Sequence, residues 1–158
     1  MRELIERISK YIGVKKYNIL IVDDVGDNIE LLYNYIKKPD IKIYKYTNPL
    51  NCIDALKYID LSLLILDIQM PGIDGYELVL NLKNGKYGEL NMNKPIVFMT
   101  GIYSDNDSKI KGYNLGSIDY VIKPVDYKSF SDKIYYYLDM TDKKLVSERI
   151  DNMNKTIS

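Results

Sequence analysis

Asp23, Asp24, Asp67, Thr100 and Lys123 share one property in this 158-residue sequence: each stands where an apolar run gives out. The runs are "YNILIVDD", "LLILD", "PIVFMT" and "DYVIKP". Any one of these residues reads adequately as a strand-end turn residue. Together they put three carboxylates, a hydroxyl and an ammonium at the ends of four candidate strands, and coincidence is a poor account of that set. Two carboxylates about 4 Å apart repel by roughly 4 kcal/mol at an effective dielectric near 20, so such a cluster needs an offsetting charge. A hard divalent cation supplies it: Mg²⁺ typically takes one or two carboxylates, keeps several waters and binds phosphoryl oxygens with its remaining positions. Lys123 adds a second positive charge suited to a phosphoryl group in transfer. With its oxygens neutralised in this way, such a group can be attacked in line by a carboxylate. Asp67 suits the nucleophile's part, because "LLILDIQMPGIDG" sets it at the end of a stiff aliphatic run and the break at Pro71-Gly72 turns the chain away from it.

What the composition omits narrows the chemistry. There is no histidine, which removes Ser/His/Asp and Cys/His catalysis, imidazole metal sites and any phosphohistidine on this chain. The single cysteine, Cys52, forbids an internal disulfide. It fits a reducing compartment and reads as a small packing residue. Lys plus Arg and Asp plus Glu each total 22, so no net field draws the protein to nucleic acid or to an anionic membrane. No stretch approaches the roughly 20 apolar residues of a membrane span. The expectation is a cytoplasmic protein without a membrane partner and without direct nucleic-acid binding. An apolar content of 46% suits one globular domain with a sizeable core and short flanks.

These side chains need a frame that gathers strand ends. Five runs read as strands: Tyr17 to Asp24, Ile41 to Thr47, Leu63 to Asp67, Pro95 to Thr100 and Asp119 to Pro124. Most are almost continuously apolar, as parallel strands covered on both faces are. Ile29, Leu32, Tyr33 and Ile36 recur at helical spacing after the first, and Asp27 with Glu30 has capping-box spacing. Asn48-Pro49 offers a cap and a first-turn proline to a second helix. Asp74 with Glu77 repeats the capping box for a third, Ser104 opens a fourth that stops near Gly116, and Asp126 opens a fifth carrying Phe130, Ile134, Tyr137 and Leu138. Five strand-then-helix units with crossovers too long for hairpins predict a doubly wound α/β domain, with five helices about a five-stranded parallel sheet. In such sheets ligands collect outside the carboxyl ends of the strands, where the five side chains of interest lie. The predicted divisions are an amphipathic helical flank over residues 1–15, the domain over 16–139, and a polar helical tail or linker over 140–158. In the first flank Leu4, Ile5, Ile8, Tyr11 and Ile12 share a face, expected to dock on the domain or on a second copy.

At these residues the sequence resembles the receiver domain of two-component response regulators, in the chemotaxis-regulator-like superfamily. The pieces "ILIVDD", "LLILDIQMPGIDGYEL", "PIVFMTG" and "GSIDYVIKP" stand in family order and at family spacing. The resemblance implies the flavodoxin-like strand order 2-1-3-4-5, with Asp67 as phosphoacceptor. It implies a Mg²⁺ site, which Mn²⁺ can also fill, made by Asp23, Asp24, Asp67 and the backbone carbonyl of Gln69. Thr100, Gly101 and Lys123 would bind the phosphoryl group, with Asp67, Lys123 and Thr100 carrying the catalysis of the chain's own phosphorylation and dephosphorylation and no other reaction. Thr100 and Tyr120 would be the switch pair: Thr100 moves toward the phosphoryl group, Tyr120 turns inward, and the face of the fourth helix, fifth strand and fifth helix changes. That face would address a partner protein or a downstream output domain, and is a candidate homodimer surface. With no histidine here, the donor is a sensor histidine kinase or histidine phosphotransfer protein. "VDDVGDNIELL" and "GYNLGSIDYVIKP" look most like receivers joined to cyclase, phosphodiesterase or hybrid-kinase outputs.

Some positions depart from the family's commonest pattern. Val25 follows the acidic pair where a polar residue is usual, and Gly101 replaces a small alanine, keeping its amide while loosening the loop. Gln69 and Ile102 occupy positions that, by the resemblance, would flank the line of approach to a phosphorylated Asp67. None of these removes a catalytic group. Two other readings compete. A pseudo-receiver used only for binding would normally have lost an acid or the lysine, and this sequence keeps them. A Mg²⁺-dependent phosphohydrolase would place a general acid two residues after its nucleophile, where this sequence has Gln69.

Overall fold

Runs of branched aliphatics build the centre of the sheet, and the computed structural model describes residues 1–5, 7, 16–101 and 106–157 of the chain. The strands are β1 (Tyr17–Val22), β2 (Ile41–Tyr46), β3 (Leu63–Asp67), β4 (Ile96–Thr100) and β5 (Asp119–Ile122). They form one five-stranded sheet in the order β2-β1-β3-β4-β5, every pair parallel. This is the expected doubly wound α/β architecture. The central strands β3 and β4 are buried at every position, which is why their sequences are apolar without alternation. At the edge, β2 is only partly covered, with Lys42 and Lys45 exposed, and charge on an edge strand discourages further pairing.

Helices α1 (Gly26–Ile36), α2 (Ile53–Tyr58), α3 (Gly75–Lys83), α4 (Asn106–Asn114) and α5 (Tyr127–Ile157) follow the strands in turn, α2 being entered through a 3₁₀ turn at Pro49–Cys52. Two apolar layers result. On one face Leu20, Leu64, Leu66 and Phe98 meet Leu56 of α2 and Leu78, Val79 and Leu82 of α3. On the other, Ile19, Ile21, Ile65 and Val97 meet Ile29, Leu32 and Ile36 of α1 and Phe130, Ile134 and Leu138 of α5. Cys52 is fully buried, its thiol donating to the Pro49 carbonyl at 3.0 Å. Burial pushes that thiol up to about 12, so it is a packing group and not a nucleophile.

Several helix signals act where expected. The Asn48 side chain accepts from the Leu50 amide, Asp74 from the Glu77 amide and Asp126 from the Ser129 amide. The expected Asp27–Glu30 capping box does not form. The N-cap of α1 is Val25, without a side-chain cap bond, because the helix begins directly after the acidic pair and Asp27 already lies in its first turn. Glu30 instead pairs with Lys45 at 2.9 Å. The expected start of the fourth helix at Ser104 lies outside the described residues.

The flanks differ in kind. The polar tail after Met140 is helical, as its composition allowed, but no element boundary separates it from the domain: α5 runs unbroken for 31 residues. At the other end residues 2–5 and 7 are helical. Arg2 pairs with Asp139, and Lys16 Nζ and the Tyr17 hydroxyl both reach Asp142, the lysine at 2.6 Å. The N-terminal residues thus grip α5 where it leaves the sheet. Of the expected apolar face there, Leu4 is exposed, and Ile8, Tyr11 and Ile12 lie outside the described residues. No helix among the described residues is long and apolar enough to cross a membrane.

Candidate functional site

β1 and β3 are neighbours, so the residues that follow or end them emerge side by side. Asp23 is completely buried. Its amide still bonds the Tyr46 carbonyl at 3.1 Å, continuing the ladder one residue past β1. Its Oδ1 accepts from the Val25 amide at 2.9 Å, and its Oδ2 from Asn28 Nδ2 at 3.4 Å and from Lys123 Nζ at 2.9 Å. Asp67, the last residue of β3, is 4% exposed. Its Oδ1 accepts from the Gln69 amide at 3.3 Å, and its Oδ2 lies 3.3 Å from Lys123 Nζ. Asp24 is exposed and completes a cluster in which one oxygen from each of Asp23, Asp24 and Asp67 lies within 4.8 Å of the others.

Lys123 reaches this cluster from just beyond β5, two strands from β3 and three from β1. Its amide donates to the Thr100 carbonyl at 2.7 Å, tying the end of β4 to the chain beyond β5, and the Lys123–Pro124 peptide is cis. Thr100 is fully buried. A methyl group added at Gly101 would meet Lys123 carbons at ordinary distances of 3.9 and 4.0 Å, so alanine would fit there too.

The electrostatics follow from this geometry. Burial, then the charge of Asp23, push the Asp67 carboxyl up to about 7, against the opposing pull of Lys123. For Lys123, burial acts to lower the pKa, but the Asp23 and Asp67 carboxylates outweigh it and the net direction is up. The lysine stays an ammonium. One ammonium does not balance three crowded carboxyl groups, and the donor set consists of oxygen alone, with one member on an exposed side chain. That set fits a hard divalent cation.

Above the acids a cleft of about 630 Å³ is lined by Asp24, Gln69, Pro71, Asp74, Tyr76 and Lys111, among others. Gln69 therefore stands beside the acidic cluster, as expected of the residue two after Asp67. Tyr120, the expected switch aromatic, sits inward: it is 7% exposed, and its hydroxyl is 3.3 Å from that of Tyr76. Ile102 lies outside the described residues.

Two positions that shape the site escaped the sequence reading. Gly75 opens α3, and its amide bonds the Ile68 carbonyl at 2.8 Å. A Cβ there would lie 2.4 Å from the Asp67 carbonyl oxygen, so only glycine lets the helix start this close to the strand end. The glycine directly after the capping Asp74 was the available signal. Asn28 braces Asp23 from the first turn of α1, and its place five residues after the acid was the only clue.

Comparison with known proteins agrees with the fold and the family resemblance. A family model described as the response regulator receiver domain matches residues 19–135. An uncharacterized transcriptional regulatory protein, YbdJ of Bacillus subtilis, is 28% identical over 155 residues, covering 87% of this chain and 64% of that protein. A probable cyclic di-GMP phosphodiesterase of Vibrio cholerae is 31% identical over 120 residues, covering 76% of this chain and 26% of that one. The chain thus spans less than two thirds of the length of either relative. Among solved structures, a two-component response regulator from Clostridium difficile superposes with a TM-score of 0.67 at 28% identity, over 78% of this chain and 96% of the other.

Proposed function

Because the chain belongs to the response regulator receiver domain family, we propose that Asp67 accepts a phosphoryl group from a phosphohistidine on a partner protein. An Asp67 carboxylate oxygen attacks phosphorus, the P–N bond of the donor breaks, and the imidazole leaves with a proton from solvent. The observation that carries the reading is the convergence of Asp67 Oδ2 and Asp23 Oδ2 on Lys123 Nζ, at 3.3 and 2.9 Å. That ammonium is positioned to offset charge on the transferred oxygens. Asp23, Asp24 and Asp67, with the Gln69 carbonyl, would hold Mg²⁺ or Mn²⁺, which supplies further neutralisation of the phosphoryl oxygens when bound. The Thr100 hydroxyl and Gly101 amide, at the end of the strand beside β3, are the donors for the remaining oxygens.

The consequence is signalling. The donor is a sensor histidine kinase or histidine phosphotransfer protein, and the cytoplasm is where such a donor meets this chain. Thr100 and Tyr120 transmit the modification to the face formed by α4, β5 and the start of α5, which addresses an output domain, a partner or a second copy. Incubation with acetyl phosphate and Mg²⁺, followed by intact-mass measurement, tests the chemistry. A phosphate-sized mass gain, labile to hydroxylamine and lost in Asp67→Asn, is the expected result. The same gain in Asp67→Asn would show that Asp67 is not the acceptor.

A further inference from the structure

We propose that Tyr76 is a positioning residue of the switch: its hydroxyl holds the Tyr120 ring inward and thereby sets how readily the chain responds at Asp67. This rests on the reading of Thr100 and Tyr120 as the switch pair, and it adds α3 to the elements that carry the signal.

Tyr76 and Tyr120 are each 7% exposed, and their hydroxyls lie 3.3 Å apart. Phe98 completes a triangle with them. It is the register partner of Tyr120 across β4 and β5, and the Tyr76 ring meets it edge-on with centroids 5.0 Å apart. Helix α4 closes over this group. Lys111 Nζ sits 4.8 Å from the centroid of the Tyr76 ring, and a Cβ on the adjacent Gly112 would lie 3.1 Å from Tyr120 Cδ2 and 3.3 Å from Phe98 Cδ2. Tyr76 therefore touches both the aromatic that switches and the helix that covers it. Its other connection is to the acceptor: it follows Gly75, whose amide is bonded to the Ile68 carbonyl one residue after Asp67. It also lines the cleft that Asp24 enters.

A buried hydroxyl needs a partner, and a plain structural pair would satisfy that need. The difference lies in what happens when Tyr120 turns. Outward, the Tyr120 hydroxyl returns to water while the Tyr76 hydroxyl stays behind without this contact, so the pair favours the inward ring whatever Asp67 carries. A neutral hydrogen bond of this kind shifts an equilibrium by about two- to tenfold. If the inward ring is the form that binds a phosphoryl mimic well, apparent affinity for the mimic scales with the inward fraction.

The test uses the full chain labelled with 3-fluorotyrosine, the Tyr120 ¹⁹F signal being identified by its loss in Tyr120→Phe. Tyr76→Phe keeps the ring against Phe98 and Lys111 and removes only the hydroxyl. The expected result is a shift of the Tyr120 ring toward the outward signal by about two- to tenfold, with weaker binding of beryllofluoride in Mg²⁺. Adding Tyr76→Phe to Tyr120→Phe should weaken beryllofluoride binding no further, since the same contact is already gone. An unchanged Tyr120 signal and an unchanged beryllofluoride midpoint in Tyr76→Phe, with only a lower unfolding midpoint, would reduce Tyr76 to a structural residue and overturn the proposal. Failure of the wild-type chain to bind beryllofluoride would instead sink the phosphoacceptor reading, while the ¹⁹F ratio still decides whether Tyr76 holds Tyr120.

Discussion

Asn91 and Asp67 are both buried polar side chains, one near the start of β3 and the other at its end. Asn91 is fully buried; its Oδ1 accepts from the Leu61 amide at 3.0 Å, and its Nδ2 donates to the Leu56 and Ile59 carbonyls at 2.8 and 2.7 Å. Donors and acceptors match, and nothing is left for a ligand. Asp67 is nearly as buried, yet it faces Asp23 and Asp24 across less than 4.8 Å, with one lysine between it and Asp23. A neutral amide in a matched socket stabilises the fold. Crowded carboxylates work against it and hold their attraction for a positive partner in reserve. Burial alone therefore does not mark function; the mismatch of charge does.

Breaking the satisfied end should have the largest effect. Asn91→Leu leaves two carbonyls and an amide without their partner, each at roughly 1–3 kcal/mol when it stays dry. With some entry of water, the net loss expected by urea denaturation is about 3 kcal/mol. Acetyl phosphate labelling of the fraction that remains folded should be unchanged. A loss below about 0.5 kcal/mol would mean that the three bonds are not the reason this loop holds.

At the mismatched end the sign reverses. The Asp67 carboxyl rises from an ordinary 3.8 to about 7 on folding, so between those values the folded state binds more protons than the unfolded one. Stability then falls as pH rises. The contribution is full below pH 3.8 and is lost as pH climbs through about 7. Asp67→Asn removes the charge, and with it roughly 4 kcal/mol of linkage at 1.36 kcal/mol per pH unit, while giving up the contact with Lys123. We expect a net gain on the order of 2 kcal/mol at pH 8 in chelator, shrinking toward zero near pH 4. Denaturant midpoints at a series of pH values measure it, and added Mg²⁺ should flatten the wild-type profile. A variant less stable than wild type at pH 8 would remove the contrast with Asn91.

The same contrast explains what the sequence disclosed. Parallel strands were legible because unbroken aliphatic runs such as "LLILD" and intervening helical periods are local patterns, whereas their order was implied only by the family resemblance. Asp23, Asp24, Asp67 and Lys123 were legible because charge at the end of such a run is conspicuous. Asn91 was not: its partners lie 30 to 35 residues away, and one asparagine in a loop carries no mark of them. Gly75 was missed for a similar reason, since the atom that demands glycine belongs to the end of β3. The strand ends at Asp23-Asp24 and Lys123-Pro124 were read two residues too long: Asp23 and Lys123 each keep one more inter-strand bond, to the Tyr46 and Thr100 carbonyls, but lie beyond the regular strands. The expected division at residue 139 rested on the chain turning polar after Met140, a change of composition that does not end a helix: α5 runs through it. Tyr120 sits inward through Tyr76, Phe98 and Gly112, contacts that no spacing along the chain foretells.

The smallest expected effect concerns two aspartates with the same spacing signature. Asp74 and Asp27 each stand three residues before a glutamate, yet only Asp74 caps a helix, its side chain accepting from the Glu77 amide at 2.8 Å. Asp27 lies inside the first turn of α1 behind Val25, where it gains only the helix dipole, about 0.3–1 kcal/mol at an exposed position. Asp74→Ala should cost about 1 kcal/mol and Asp27→Ala about a third of that, read from urea midpoints under identical conditions. The site should separate the two further. α3 starts at Gly75 against the Asp67 carbonyl, so loosening its cap frees the chain beside the acceptor, and acetyl phosphate labelling should slow in Asp74→Ala. Asp27→Ala leaves α1 anchored by Asp23, which holds both the Val25 amide and Asn28, and labelling should be unchanged. Equal losses of stability in the two variants would show that α1 starts with a capping box after all, and that Asp23 carries less of the structural load than its bonds indicate.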